Sequence, residues 1–485
     1  MADSSFDSTS LLTCPFSIPE PKASATKVVS RWSDAHVESP PAIIITPNTE
    51  DDVVSAIKFA KLNKLTVVPA GGRHNPAIPI NSNILYLDLA NLKSIQLDKQ
   101  NSQVSIGGGA LTGDVMRYLA QEGYFTTLAN SNAVGVIGCL LGGGNCSQNG
   151  LKGWMADNAV SFRVVTASGD IIQVSSSSKG EELALFNALC GAGHGLCVVV
   201  SATMKAYPLN SLNLSPTSKD DPSPSIWTRT LIFTPAAIDS AIEAFLAASP
   251  PPEPMNVIFG FTRGPPGTPF AGKPIIILTS TYYGPASEAE ASSVGAILLN
   301  PSLVEKSVKA DTVHIPFANA NNGFDPMNVH GGFKNMSSNR IARLSPQNLK
   351  DAHEKYLAVM DKYPDAVRSA LMFHSFNPSK LAELGATPEG KGRFVEARDR
   401  GFCTVGIMWS QEPATRDALT TSYDEAVTVL LKDDEEAGIP RRVFPGIMKF
   451  LSGRRDLLSE EKLAELDRLQ EKWNGDGLFW SPYKA

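Results

Sequence analysis

The chain has 485 residues, 42% of them hydrophobic and 19% charged, with a formal net charge of −6. Its length exceeds what one core organises, so about two or three domains are expected, and the acidic balance excludes nucleic acid as a partner because no basic face is left to neutralise phosphates. No apolar run approaches the ~20 residues that span a bilayer, Met1 to Phe16 has Asp3 and Asp7 but neither Lys nor Arg, and the Ser481–Ala485 end is no peroxisomal address, so an intracellular, non-membrane protein without a signal peptide is expected.

The segment before Pro40 is rich in Ser and Pro and reads as extended. Pro40 to Thr46 reads as a buried strand. Thr49 caps a helix, with Asp52 three residues on, and Val53, Ile57, Ala60 and Leu62 give its apolar face through Leu65. Val67-Val68 is the next strand and delivers Gly71-Gly72 at its end, where an α/β layer puts its ligand loops. Short strands follow at Ile84–Leu87 and Val104–Ile106, then a helix from Thr112 to Glu122. Ala129 to Asn149 is nearly uncharged and glycine-rich. Ser161–Thr166 and Ile171–Val174 read as a hairpin, and Cys197–Tyr207 as a strand stopped by Pro208. Residues 209–225 are a Ser/Pro-rich linker or crossing segment. Beyond it, strand-like runs at 226–233, 255–262, 274–283, 369–376 and 402–410 alternate with helical stretches at 235–248, 286–299, 346–362 and 414–437. That pattern implies an open sheet with helices on one face. Ser459 to Trp473 is a charged amphipathic helix, and Leu478-Phe479-Trp480 an apolar tail that packs back on a core. The run Asp433-Asp434-Glu435-Glu436 reads as a solvated helix end.

Two glycine clusters carry the chemistry. Gly71-Gly72-Arg73-His74-Asn75 follows a strand, and side-chain-free residues there let the backbone approach a bulky ligand. Val134-Gly135-Val136-Ile137-Gly138 and Gly142-Gly143-Gly144 form the second cluster. Two uncharged loops of this kind in one α/β half can wrap a dinucleotide diphosphate with backbone N–H groups. A nicotinamide fingerprint is absent, as is a Walker loop. Cys14, Cys139, Cys146, Cys190, Cys197 and Cys403 lack metal-ligand spacing and read as small buried hydrophobes in a reducing compartment, so no metal is expected.

These motifs resemble the berberine bridge enzyme-like group of the vanillyl-alcohol-oxidase superfamily, with its PCMH-type FAD domain. Pro69–Asn75 resembles the family's Arg-Gly-Gly-His loop, and Val134–Gly144 its VGxxGxxxGGG segment. Asp157-Asn158, Val164–Gly169, Leu185–Gly193 and Asp476–Phe479 resemble further family segments. The resemblance implies an α+β fold of two lobes. Residues 1–208, with a core of about 38–208, would be the FAD-binding domain, 209–443 a substrate domain with an antiparallel sheet covered by helices, and 444–485 a segment returning to the FAD domain. It implies FAD as cofactor, held by Ala70, Gly71, Gly72, Arg73, His74, Asn75, Ser131, Val134, Gly135, Gly138, Gly142, Gly143, Gly144, Asn145 and Val198, with His74 joined to the flavin 8α-methyl carbon. Ser131 stands where many members carry a second, cysteinyl link, so a single bond is expected. Cys139 and Cys146 are out of register and read as packing residues. The family's Tyr-x-Asn-Tyr element is missing, and Phe444 to Leu451 stands in its region.

On the substrate side, His374, Thr404, Trp409 and Tyr282 are the candidate catalytic residues, since a base must reach a substrate proton. His314 and His330 read as loop residues. The expected reaction is oxidation of a C–H bond beside oxygen or nitrogen in a small hydrophobic metabolite, with hydride passing to flavin N5 and dioxygen as acceptor, in a biosynthetic pathway. A flavin-bound cyclase or isomerase without net oxidation, and a non-catalytic protein of the same fold, are the alternatives.

Overall fold

The structure, a computed structural model, describes residues 9–446 and 453–483. Residues 447–451 of the stretch expected to replace the Tyr-x-Asn-Tyr element lie outside the described residues.

Ile43–Ile45, Ile84–Asp88 and Thr66–Ala70 pair in parallel, in that order, with Phe16–Ser17 antiparallel at the edge. The Glu50–Leu62 helix starts where Thr49 and Asp52 cap each other: the Thr49 hydroxyl accepts the Asp52 N–H at 3.2 Å and the Asp52 carboxylate accepts the Thr49 N–H at 3.0 Å. Its face of Val53, Ala56, Ile57 and Ala60 packs on Ile43, Val67 and Leu85. The chain end joins this core through Leu478 and Phe479, and the Val67 N–H donates to the Leu478 carbonyl at 2.7 Å.

An antiparallel sheet follows, ordered Ile95–Asp98, Gln103–Gly107, Val198–Lys205, Ala159–Val165 and Ile171–Ser175. The helices Thr112–Gln121, Val136–Leu141 and Gly180–Leu189 bury Val115, Leu119, Leu140, Leu185 and Leu189 with it in one core. The second glycine cluster therefore flanks a short helix rather than following a strand.

Among the described residues the second lobe is built on an eight-stranded sheet. Its order is Ser215–Pro216, Pro224–Phe233, Pro274–Tyr282, Met255–Arg263, Ala370–Phe376, Phe402–Ser410 and Phe333–Ile341, with Lys309–Pro316 also on Pro224–Phe233. All its pairings are antiparallel. Phe259, Phe373, Leu278 and Met408 point to one face, where Ile238–Ala247, Pro346–Lys362 and Pro413–Leu430 cover them. The fold is thus α+β, as expected.

Lys309–Pro316 and Phe333–Ile341 are strands that sequence patterning does not announce. The first is a half-exposed edge strand, and it carries His314, which is therefore not a loop residue. The second reads as polar, yet most of it is buried. Its Arg340 is fully covered and lies over the Trp154 and Phe376 rings, with its guanidinium donating to the carbonyls of Ala397 and Arg400. Asp434 also departs from expectation. It is 1% exposed, and its carboxylate accepts the N–H groups of Ala342 and Arg343 at 3.0 and 2.9 Å. It is a buried link between helix and sheet, not a solvated end.

The lobes are joined by a buried ion cluster. Asp157, on the turn Met155–Asn158, accepts one hydrogen bond from Arg393 at 2.9 Å, two from Arg398 at 2.8 and 2.9 Å, and the Trp154 N–H at 2.9 Å.

Candidate functional site

The parallel strand Thr66–Ala70 ends at Gly71-Gly72, and the loop before helix Val136–Leu141 carries Gly135. The two loops touch. A Cβ on Gly72 would lie 2.1 Å from the Gly135 nitrogen, and one on Gly135 would lie 2.4 Å from the Gly72 nitrogen. Only glycine backbones can meet this closely. They form one wall of a cavity of about 320 Å³ between the lobes. The opposite wall is the open face of the large sheet, contributed by Ile258, Met336, Met372, His374, Val405 and Ile407. Phe324, Met327 and Asn328, from the segment between Lys309–Pro316 and Phe333–Ile341, cover one side.

His74 lies on this wall. Its ring stacks on Trp32 with centroids 4.6 Å apart and planes 18° apart. Burial, with the charges of His330 and Lys334 nearby, pushes the imidazole down to about 4, so it is neutral at physiological pH. Asn328 lines the same cavity, and its side-chain oxygen accepts the Ser131 hydroxyl at 2.7 Å. Arg73 has a left-handed φ of 56°, uncommon for a residue with a Cβ, and its guanidinium is anchored on Asp88 at 2.5 Å. The turn so held aims the next residue, His74, at the cavity.

Across the cavity His374 is buried, with Nδ1 3.5 Å from the Asn145 amide nitrogen. Burial, reinforced by the Arg340 charge, pushes it down to about 3. His353, in the helix layer beside the Phe261 ring, is pushed down to about 4 by burial. Both histidines have an ordinary value of 6.5, and folding lowers it. Below pH 6.5 the unfolded chain therefore binds protons that the folded chain does not, and stability falls as pH falls from there toward about 4. The melting temperature is expected to be lower at pH 5 than at pH 7. His353→Phe should flatten that slope in melts followed across the same range, and an unchanged slope would contradict this origin.

The cavity brings together Ala70, Gly71, Gly72, Arg73, His74, Asn75, Ser131, Val134, Gly135, Gly138, Asn145 and His374. Four expected FAD contacts lie elsewhere. Gly142, Gly143 and Gly144 serve close packing, against Gly446, Val395 and Met155 respectively, and Val198 is buried in the core under the parallel sheet. Three expected catalytic residues also lie off the cavity. Thr404 points to the helix layer, where its hydroxyl accepts the Asn339 N–H at 3.1 Å. Tyr282 alternates onto the same helix side and donates to Glu288 at 3.0 Å. Trp409 shares the face of Val405 and Ile407 but lies beyond the cavity, under the Lys334 and Arg368 side chains. Cys139, expected as packing, is on the cavity wall. Sequence reasoning passed over Arg31, Trp32, Tyr86, Asn328 and His194. An Arg-Trp pair in a segment read as extended was the available signal for the first two.

The cavity fits a large polar ligand. Arg31 Nε, Arg73 Nε, Tyr86 Oη, His74 Nε2 and His374 Nε2 are buried there without a hydrogen-bond partner among the described residues. Buried polar atoms are nearly always paired, and the glycine cradle leaves room where side chains would stand. Among the described residues no group of three His, Cys, Asp or Glu could hold a metal, and no helix is long and apolar enough to cross a membrane.

Residues 41–175 match the FAD binding domain family. The FAD-linked oxidoreductase hasG of Aspergillus fumigatus is 27% identical over 395 residues, which cover 80% of this chain and 79% of that protein. The solved structure of Physcomitrella patens BBE-like 1 superposes with a TM-score of 0.77 at 16% identity, covering 97% of this chain and 96% of its own. The glucooligosaccharide oxidase of Acremonium strictum, whose FAD is 6-S-cysteinyl and 8α-N1-histidyl, gives 0.74 at 16% identity, covering 97% and 96%. Fold and site define a two-lobed flavoprotein with FAD as its cofactor. The chain carries an FAD binding domain, is similar to FAD-linked oxidoreductases, and shares the fold of BBE-like 1, in line with the resemblance to the berberine bridge enzyme-like group.

Proposed function

We propose that this oxidoreductase oxidises a C–H bond next to an oxygen or nitrogen of a small hydrophobic molecule, with dioxygen as electron acceptor, in small-metabolite biosynthesis. The observation that carries the reading is the contrast between the cavity walls. One is made of glycine backbone, His74 and unpaired polar atoms. The other is Ile258, Met336, Met372, Val405 and Ile407, broken by His374. A sugar chain needs many hydrogen-bond partners, and these five side chains offer none.

FAD, when bound, supplies the hydride acceptor at N5 and passes the electrons to dioxygen. The chain's own residues do the rest. The glycine loops hold the cofactor with backbone N–H groups, and His74 tethers it at the 8α carbon, as the histidyl link of the Acremonium strictum enzyme supports. A neutral imidazole keeps the lone pair that this bond needs. Ser131, engaged with Asn328, leaves a single tether. His374 accepts the substrate's O–H or N–H and takes its proton as the hydride leaves the adjoining carbon. Nε2 is the unpaired atom that accepts, in the tautomer that carries the ring hydrogen on Nδ1, and burial keeps the imidazole unprotonated. The apolar wall excludes water from the reacting carbon.

Anaerobic mixing with a panel of benzylic alcohols and cyclic secondary amines tests this. A member of the panel should bleach the yellow band, and air should restore it with release of peroxide. His374→Ala should slow bleaching by roughly 10²–10⁴-fold at unchanged flavin content. Turnover with the band persisting would assign a redox-neutral cyclisation or isomerisation instead, and turnover of free oligosaccharides would contradict the apolar wall.

A further inference from the structure

We propose that Lys334 is the positioning residue for His74: clamped between two indoles, it fixes Trp32 against the imidazole and so sets His74 for attachment to FAD. The inference rests on the tether proposed above and goes beyond it, to what prepares the histidine.

Lys334 lies on the polar strand Phe333–Ile341 directly opposite Trp409. It is fully buried. Its ammonium lies 4.1 Å from the Trp409 ring centroid and 5.1 Å from that of Trp32. It donates to the Trp32 carbonyl at 2.6 Å and to the Val329 carbonyl. Trp32 is held at every polar atom. Its N–H donates to the Arg73 carbonyl at 3.2 Å, its indole N–H to the Met327 carbonyl at 2.7 Å, and its carbonyl accepts Lys334. The ring so fixed is the one on which His74 stacks.

No carboxylate forms an ion pair with Lys334 among the described residues. Asp34, the nearby acid, accepts the Gly332 N–H at 2.9 Å instead. A buried lysine without a counter-ion is costly, and a long apolar side chain would fill the same place without that cost. Burial pushes the ammonium down to about 8, opposed by the Asp34 charge, and the two carbonyls and two ring faces also favour its charged form. What the charge returns is geometry at Trp32. The Lys334 charge, with that of His330, also opposes protonation of His74, and only the unprotonated imidazole can form the bond. In attachment an imidazole nitrogen replaces one hydrogen of the 8α carbon. That hydrogen and the one lost from the imidazole leave as two protons and two electrons, which dioxygen takes up as hydrogen peroxide.

The test uses the full chain, purified with its FAD, as wild type, Lys334→Met, Lys334→Arg and Trp409→Leu. Total flavin per protein is measured, then the share retained in the acid pellet, and then its growth over time with added FAD. Lys334→Met should bind flavin as the wild type does but attach it at least tenfold more slowly. Lys334→Arg should restore most of the rate, and Trp409→Leu should slow it with Lys334 intact. Wild-type attachment by Lys334→Met overturns the proposal, and so does Lys334→Arg failing as badly as Lys334→Met, which would reduce the residue to packing. If Lys334→Met does not fold, Trp409→Leu decides, and a wild-type rate in it overturns the proposal. A wild-type chain that releases all its colour into acid removes the tether itself and this role with it. An intact tether in Lys334→Met removes this role alone.

Discussion

Asp157→Ala is expected to cost about 3–5 kcal/mol of stability, because it removes one partner of a buried ion cluster and leaves the others buried and uncompensated. The carboxylate is fully covered and accepts from Arg393, Arg398 and the Trp154 N–H. Both arginines come from the segment before strand Phe402–Ser410, while Asp157 belongs to the FAD-binding half, so the loss falls on the junction between lobes. Domain stabilities are commonly about 5–15 kcal/mol, so denaturant unfolding should show a much lower midpoint, with the lobes separating before either unfolds. Asp157→Asn keeps one acceptor and should lose less. A shift below about 1 kcal/mol for the alanine variant would mean that solvent or a rearranged arginine replaces the carboxylate.

Gly72→Ala is expected to remove FAD binding. The added methyl would lie 2.1 Å from the Gly135 nitrogen, 2.7 Å from its Cα and 2.9 Å from the Ala133 carbonyl, all backbone atoms with no side chain to swing aside. Overpacking of this kind costs about 1–3 kcal/mol, and here the strain is relieved only by parting the two loops that cradle the cofactor. Gly135→Ala meets the same contact from the other side. The double variant should therefore lose less than the sum of the two, since once the loops part the second methyl finds space. Flavin content after purification and chemical unfolding measure both effects. A Gly72→Ala protein that retains full flavin would show that the loops do not form the cradle.

The N-terminal half was largely legible because its devices are local. Gly71-Gly72, the Thr49 cap and the hairpin at Ala167–Asp170 are set by a few adjacent residues. The faces of the large sheet were not legible. Helices bury one face and the cavity wall makes the other apolar, so the period-two pattern that tells inside from outside is lost. Thr404 and Val405 are neighbours on one strand. Only pairing with Asn339 and Phe373 shows that Thr404 turns to the helices and Val405 to the cavity. Tyr282 fails for the same reason. Trp409 is on the correct face but one rung past the cavity, a matter of where the lobes meet. Trp32 and Asn328 reach His74 only through the tertiary fold, and no local pattern joins residues so far apart in the chain. Phe333–Ile341 reads as loop because its polar residues are satisfied by partners, Arg340 among them, that come from elsewhere in the fold.

The most direct measurement is the flavin content of the purified chain and the part of its colour that acid precipitation leaves in the pellet, for the wild type and for His74→Ala. The cavity geometry predicts one FAD per wild-type chain with the colour in the pellet, and a His74→Ala protein that still binds FAD but releases it to the supernatant. A colourless wild-type protein, or equal retention of colour by both, would contradict it.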